Sequence, residues 1–136
     1  MGGRGARSAI ARDGAGSSGK ISALRSEIRA AARKFAGSTV RNNDSGFDIK
    51  ITNRGIKEAT SGYRREEELK AIERLPSMIA RARYVGSQPE MKNNPGVRRY
   101  HIFETKARID RKHYTFTIKV RELQDGKYFY DSYTKK

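Results

Sequence analysis

The sequence has no cysteine, no tryptophan, only two histidines and three prolines, and half as many acids as bases. Each shortage removes a class of function. Without cysteine there is no disulfide framework, no thiolate zinc site and no cysteine nucleophile. Two histidines, His101 and His113, are too few for a histidine-rich metal centre, so neither metal nor cofactor is expected. The acids are scattered. Their one run, Glu66-Glu67-Glu68, sits in a basic stretch, which argues against the clustered carboxylates of a two-metal nuclease. No apolar run approaches the ~18 residues of a membrane-crossing helix. The N-terminal MGGRGARSAIARDGAGSSG has no apolar stretch suited to a secretory signal, and Ala6 stands where a myristoylation signal has Ser or Thr.

What is present in excess is positive charge. Thirty Lys and Arg against fifteen Asp and Glu give +15 over 136 residues. An excess of that size favours a polyanionic partner, nucleic acid first, because each cation that displaces a condensed counterion adds affinity. The length suits one domain. Residues 1–19, rich in Gly, Ser, Ala and Arg without periodicity, read as a disordered basic tail. Residues 20–136 read as a single folded domain.

Ile21, Leu24, Ile28, Ala31, Ala32 and Phe35 recur at helical spacing, flanked by an Arg25, Arg29, Arg33 stripe and ended by Gly37. Asn43-Asp44-Ser45-Gly46 is a turn between Thr39–Arg41 and Phe47–Ile51, which predicts a hairpin. Thr52 or Asn53 caps a short helix over Gly55–Ala59, and a second helix runs over residues 64–74 and restarts at Pro76. Residues 86–96, with Pro89, Pro95 and two asparagines, read as a loop. The last forty residues are β. Tyr114, Phe116, Ile118 and Val120 alternate with polar residues, a strand over 97–109 precedes them, and Asp125-Gly126 makes a two-residue hairpin turn to a strand over 127–134. The fold expected is α+β, with N-terminal helices on one face of a twisted antiparallel four- to five-stranded sheet.

Placing Ile109 and Tyr114 together on the core face sets Glu104 opposite Lys119, Lys106 opposite Thr117 and Arg108 opposite Thr115. The Asp-Gly turn sets Tyr130 beside Arg121, Ser132 beside Lys119 and Thr134 beside Thr117. One sheet face then mixes cations with hydroxyls, which is what holding a phosphodiester needs. Tyr128, Phe129, Tyr130 and Tyr133 offer surfaces on which bases could stack. Metal-free RNA cleavage needs a base for the 2′-hydroxyl, an acid for the leaving oxygen and cations for the phosphorane. His101, His113, lysines and tyrosines can supply these. Each also has a plainer reading: a core position for His101, solvent exposure for His113, a solvated helix residue for Lys57.

The stretches FAGSTVRNNDSGFDIKITNRGIKEATS, LPSMIARARYV and RRYHIFETKARIDRKHYTFTIKVRELQDGKYFYDSY resemble a domain of phage polyvalent proteins and polymorphic toxins. Those domains resemble the superfold shared by barnase-, EndoU-, colicin- and RelE-like ribonucleases. The resemblance spans about residues 30–134. It implies a metal-independent endoribonuclease toxin that cleaves RNA, often tRNA, to a cyclic phosphate. It also implies an acidic immunity or antitoxin partner and action in the cytoplasm of a target or host bacterium. The matching positions for catalysis are Lys57, Thr60, His101, Thr117, Lys119, Tyr130 and Ser132. Arg98, Arg99, Lys106, Lys112 and Arg121 are the expected nucleic-acid-binding cations. Glu58 and Ser132 stand where the family pattern often has histidine. The alternative is a non-catalytic RNA- or DNA-binding or phage structural module of the same fold.

Overall fold

A computed structural model describes residues 13–61 and 65–136. Helix α1 (Asp13–Ala32) takes in part of the segment expected as a tail, and residues 1–12 lie outside the described residues. Its Ile28 and Ala32 are buried, with Ile21, Leu24 and Phe35 packed beside them. The hairpin follows as β1 (Thr39–Arg41) and β2 (Asp48–Lys50). Helix α2 (Asn53–Ala59) is capped by Thr52, whose hydroxyl accepts from the Gly55 amide at 3.0 Å.

Helix α3 (Glu66–Ala71) carries the glutamate run in its first turn, where carboxylates face the positive end of the helix. Glu67 binds Lys135 at 2.6 Å, a contact that holds its carboxyl below the usual range. A 3-10 turn over Ile72–Arg74 leads into α4 (Leu75–Arg81), with Pro76 in its first turn.

Four longer strands complete the sheet: β3 (Arg83–Pro89), β4 (Val97–Ile109), β5 (Lys112–Leu123) and β6 (Tyr128–Lys135). The order is β1-β2-β6-β5-β4-β3. The described helices contribute Ile56, Leu69, Ile72, Leu75, Met78 and Ile79 to one buried cluster with Ile49, Phe103, Phe116, Ile118, Val120 and Tyr130 of the sheet.

The architecture is α+β as expected, but the sheet has six strands and is mixed. β2 lies parallel to β6, through Ile49↔Tyr128 and Lys50↔Phe129. A parallel neighbour requires a crossover, and the helices between β2 and β3 belong to it. A three-residue strand carries no periodicity to announce its partner. β3 occupies part of the segment expected as a loop. Its proline and glycine suit an edge strand that pairs on one side only, and it pairs antiparallel to β4.

Two registers also differ from expectation. The β4–β5 turn is the tight pair Asp110-Arg111, both at positive φ (50° and 70°), so Ile109 faces Lys112. Glu104 therefore meets Thr117, Lys106 meets Thr115 and Arg108 meets His113. The shift is two residues, so every side chain keeps its face.

At the β5–β6 turn the loop is one residue longer than Asp-Gly alone. Leu123 bonds across to Lys127 at 2.9 Å, and Gly126 takes φ +88°. That turns Phe129 outward opposite Arg121 and Tyr130 inward opposite Val120. A bulge at Asp131 absorbs the extra residue, and beyond it Lys119↔Ser132 and Thr117↔Thr134 stand as expected.

The hairpin is tied to the helices by Asn42, which is fully buried. Its amide donates to the Ile79 and Ala82 carbonyls at 2.7 and 2.8 Å, and its oxygen accepts from the Ser45 amide and hydroxyl, both at 2.8 Å. Asn42→Ala leaves these buried groups unpaired, so urea unfolding should show a loss of about 2 kcal/mol. A change below about 0.5 kcal/mol would mean that the anchor is not stabilising.

Candidate nucleic-acid interface

The sheet's outer face carries no member of the buried core among the described residues. Strand pairing sets its side chains in rows. The first row crosses all six strands: Thr39, Lys50, Phe129, Arg121, Tyr100, Gln88. The next runs Ser132, Lys119, Ile102, Gly86, and the third Thr134, Thr117, Glu104, Arg83. Lys106 beside Thr115 and Arg108 beside His113 extend the face toward the β4–β5 turn.

Cations and rings alternate in the first rows. The Lys119 ammonium lies 4.2 Å from the Tyr100 ring centre, and the Arg121 guanidinium 5.3 Å from that of Phe129. Burial, and then the Asp131 charge, push the Tyr100 phenol above its ordinary value, so it stays protonated at neutral pH.

Each acid of this face has a cationic partner, Asp48 through one oxygen, to Arg41 at 3.3 Å. Glu104 binds Lys136 at 2.5 Å and Arg83 at 3.3 Å, and Asp131 binds Arg121 at 3.4 Å. Lys50, Lys106, Arg108 and Lys119 make no ion pair among the described residues. The face is thus a hydroxyl-rich, cationic surface with two half-buried rings.

The expected catalytic residues divide among three places. Thr117, Lys119 and Ser132 share the outer face. Lys57 is exposed on α2, beside Asn53, Arg54, Glu58 and Ser61, in the helical layer. Tyr130, expected on the polar face, is instead fully buried on the core face. A β-carbon on Gly55 would come within 3.2 Å of the Tyr130 ring. The glycine of the Gly-Ile-Lys motif therefore lets α2 lie against Tyr130. Thr60 is buried as the C-cap of α2 and accepts from the Arg29 guanidinium at 2.6 Å.

His101 is also on the core face and only 4% exposed. Its Nδ1 meets the Tyr84 hydroxyl at 2.9 Å and its Nε2 meets Glu122 at 2.8 Å. Phe47, Tyr84 and Tyr128 pack around the ring, and Phe47 stacks on Tyr128 at 4.1 Å. Arg98 binds Glu122 at 3.0 Å and the Gln124 carbonyl at 2.8 Å, and Arg99 approaches Glu122 at 3.8 Å. Burial acts to raise the Glu122 carboxyl, but the His101 hydrogen bond and the charges of Arg99 and Arg98 outweigh it and hold the group below its ordinary value.

So Arg98 and Arg99, expected on phosphate, neutralise a buried carboxylate. Of the other expected cations, Lys106 and Arg121 lie on the outer face, and Lys112 is exposed at the β4–β5 turn. Tyr84, Tyr100 and Glu122 carry roles that the sequence reading did not assign. The strand alternation could have placed Glu122 on the core face, since it shares parity with Val120 and Ile118.

No group of three or more possible metal-ligating His, Asp or Glu side chains occurs among the described residues, and no described helix is long and apolar enough to cross a membrane. No curated protein and no solved structure matches the chain. The comparisons thus reach the polyvalent-protein part of the expected resemblance and not a ribonuclease superfold. The family model of large polyvalent protein-associated domain 3 matches residues 19–130, most of the chain, and the chain belongs to that family.

Proposed function

We propose that this domain binds single-stranded nucleic acid on the outer face of its sheet. The observation that carries the reading is the row Lys50, Phe129, Arg121, Tyr100, in which cations and rings alternate across adjacent strands. Bases of an unpaired strand have free faces to lay on the rings, while the cations and the Ser and Thr hydroxyls take the phosphates. A duplex hides its base faces, so it engages only the charge. Fluorescence anisotropy at low salt should show a single-stranded RNA decamer binding more tightly than the same decamer in a duplex. Equal affinity for both would leave charge alone and sink the stacking platform.

Cleavage of the bound strand is the second reading. It is favoured by Lys119 facing Ser132 across β5 and β6, with Thr117 one row away. In that reading the domain is a metal-independent endoribonuclease, and an acidic immunity or antitoxin protein would cover the same cations. Total tRNA incubated with the chain in EDTA would yield discrete fragments ending in cyclic phosphate, lost in Lys119→Ala. Intact RNA that still binds would leave a non-catalytic module, in keeping with a nucleic-acid-contacting domain of a polyvalent protein.

A further inference from the structure

The parallel pair β2 and β6 is joined at only two positions, Ile49↔Tyr128 and Lys50↔Phe129. Upstream of them the two chains run into the Gly46 and Gly126 turns, both at positive φ (+77° and +88°). Between them lies a cavity of about 630 Å³. That volume falls in the range of small-ligand sites, roughly 300–1,000 Å³, and suits one nucleotide.

The lining is chemically divided. On its core-face side Phe47 and Tyr128 stack on one another, their rings 4.1 Å apart and only 8° from parallel, and on its outer-face side the lining ring is Phe129. Lys50 and Lys127 stand at the rim with Thr39. Lys127 has only a loose contact with Asp125, at 3.9 Å, and both lysines are exposed. Asp48 is the cavity's carboxylate. Arg41 reaches its Oδ1 at 3.3 Å, and Oδ2 is left to accept from a ligand. A β-carbon on Gly126 would meet nothing within 4 Å, so the mouth is open on that side. The cavity is continuous with the outer face, since Thr39, Lys50 and Phe129 are also the first three members of its first row.

We propose that this notch holds one unpaired base bearing an exocyclic amino group, in preference to uracil. The proposal rests on the reading of the outer face as a single-strand platform. An ionised carboxylate only accepts hydrogen bonds, so it selects a base that donates. Cytosine offers its N4 amino group where uracil of the same size has a carbonyl oxygen, which a carboxylate repels. Phe129, on the same face as Asp48 and Lys50, stacks the ring, and the two lysines take the adjoining phosphates. The notch thereby gives the platform a preference in base identity that stacking alone does not supply.

The test compares fluorescein-labelled C10 and U10 RNA on the full chain by anisotropy at neutral pH. C10 should bind roughly tenfold tighter, as one good carboxylate–amino contact allows. Asp48→Asn fits the same space and can donate to the uracil carbonyl, so the C10-to-U10 ratio should fall to about one. Equal affinities in the unsubstituted chain, or a ratio unchanged in Asp48→Asn, would overturn the proposal. Binding of neither decamer would instead remove the platform. In that event CMP and UMP, followed by the amide shifts of Gly46 and Gly126, decide the notch by itself. Shifts with CMP and not UMP support it, and no shift with either overturns it.

Discussion

Glu122→Ala should destabilise the domain by about 3 kcal/mol, a fall in melting temperature of roughly 10 °C for a chain of this size. Glu122 is 6% exposed, and its carboxylate holds His101 at 2.8 Å and Arg98 at 3.0 Å. Removing it strands a buried imidazole with an unmade hydrogen bond. The cost stays below the upper end for broken buried pairs, because Arg98 and Arg99 are about half exposed and can turn to water. The pH dependence has a definite sign. The folded-state pKa of Glu122 lies below its ordinary value. Its contribution is therefore complete above the ordinary carboxylate range, about pH 4.3 and higher, and disappears as pH falls through the folded value. Thermal melts at pH 7 and at pH 3 should show the gap between Glu122→Ala and the unsubstituted chain narrowing at the lower pH. A constant gap would assign the loss to packing alone.

Much of the fold is legible in the sequence because long elements announce themselves. The alternation of Tyr114, Phe116, Ile118 and Val120 gives β5 and its core face, and Ile28, Ala32 and their neighbours give α1. What escapes is decided by pairing over distance. Nothing in Asp48-Ile49-Lys50 says that it will lie parallel to β6, its partners 79 residues later. Nothing in Arg83–Pro89 distinguishes an edge strand from a loop, since its glycine and proline are tolerated where one side goes unpaired.

The site shows the same division at the scale of single residues. Because the β4–β5 register differs from the expected one by two residues, Lys106, Thr117 and Lys119 fall on the expected face with different neighbours. Because the β5–β6 turn is longer by one, Phe129 and Tyr130 exchange faces, and the phenol expected at the RNA is a core side chain. The Asp131 bulge then restores Ser132. One loop residue thus moved an aromatic between candidate site and core, and only strand pairing could reveal it. Arg98 and Arg99 have an electrostatic partner that the sequence hides. Their excess of charge reads as phosphate-binding until a buried carboxylate on the neighbouring strand is found to hold them.

The salt dependence of binding should be steep and should map to the outer face. Lys50, Lys106, Arg108, Lys119 and Arg121 are five cations of the outer face that a strand could contact. Five phosphate contacts to a single strand give a slope of log affinity on log salt of about −3.5, so raising salt from about 50 to 200 mM should weaken binding about a hundredfold. Lys119→Ala with Arg121→Ala removes two contacts and should bring the slope to about −2. Phe129→Ala should weaken binding about tenfold at every salt concentration with the slope unchanged, because stacking releases no counterions. Lys57→Ala, in the helical layer, should alter neither. Anisotropy titrations of a single-stranded decamer across that salt range separate these outcomes. If Lys57→Ala lowers the slope as much as Lys119→Ala does, the strand lies on the helices and the outer-face reading is wrong. If Phe129→Ala changes nothing while the lysine and arginine variants do, the face attracts phosphate by charge alone and its rings serve only the fold.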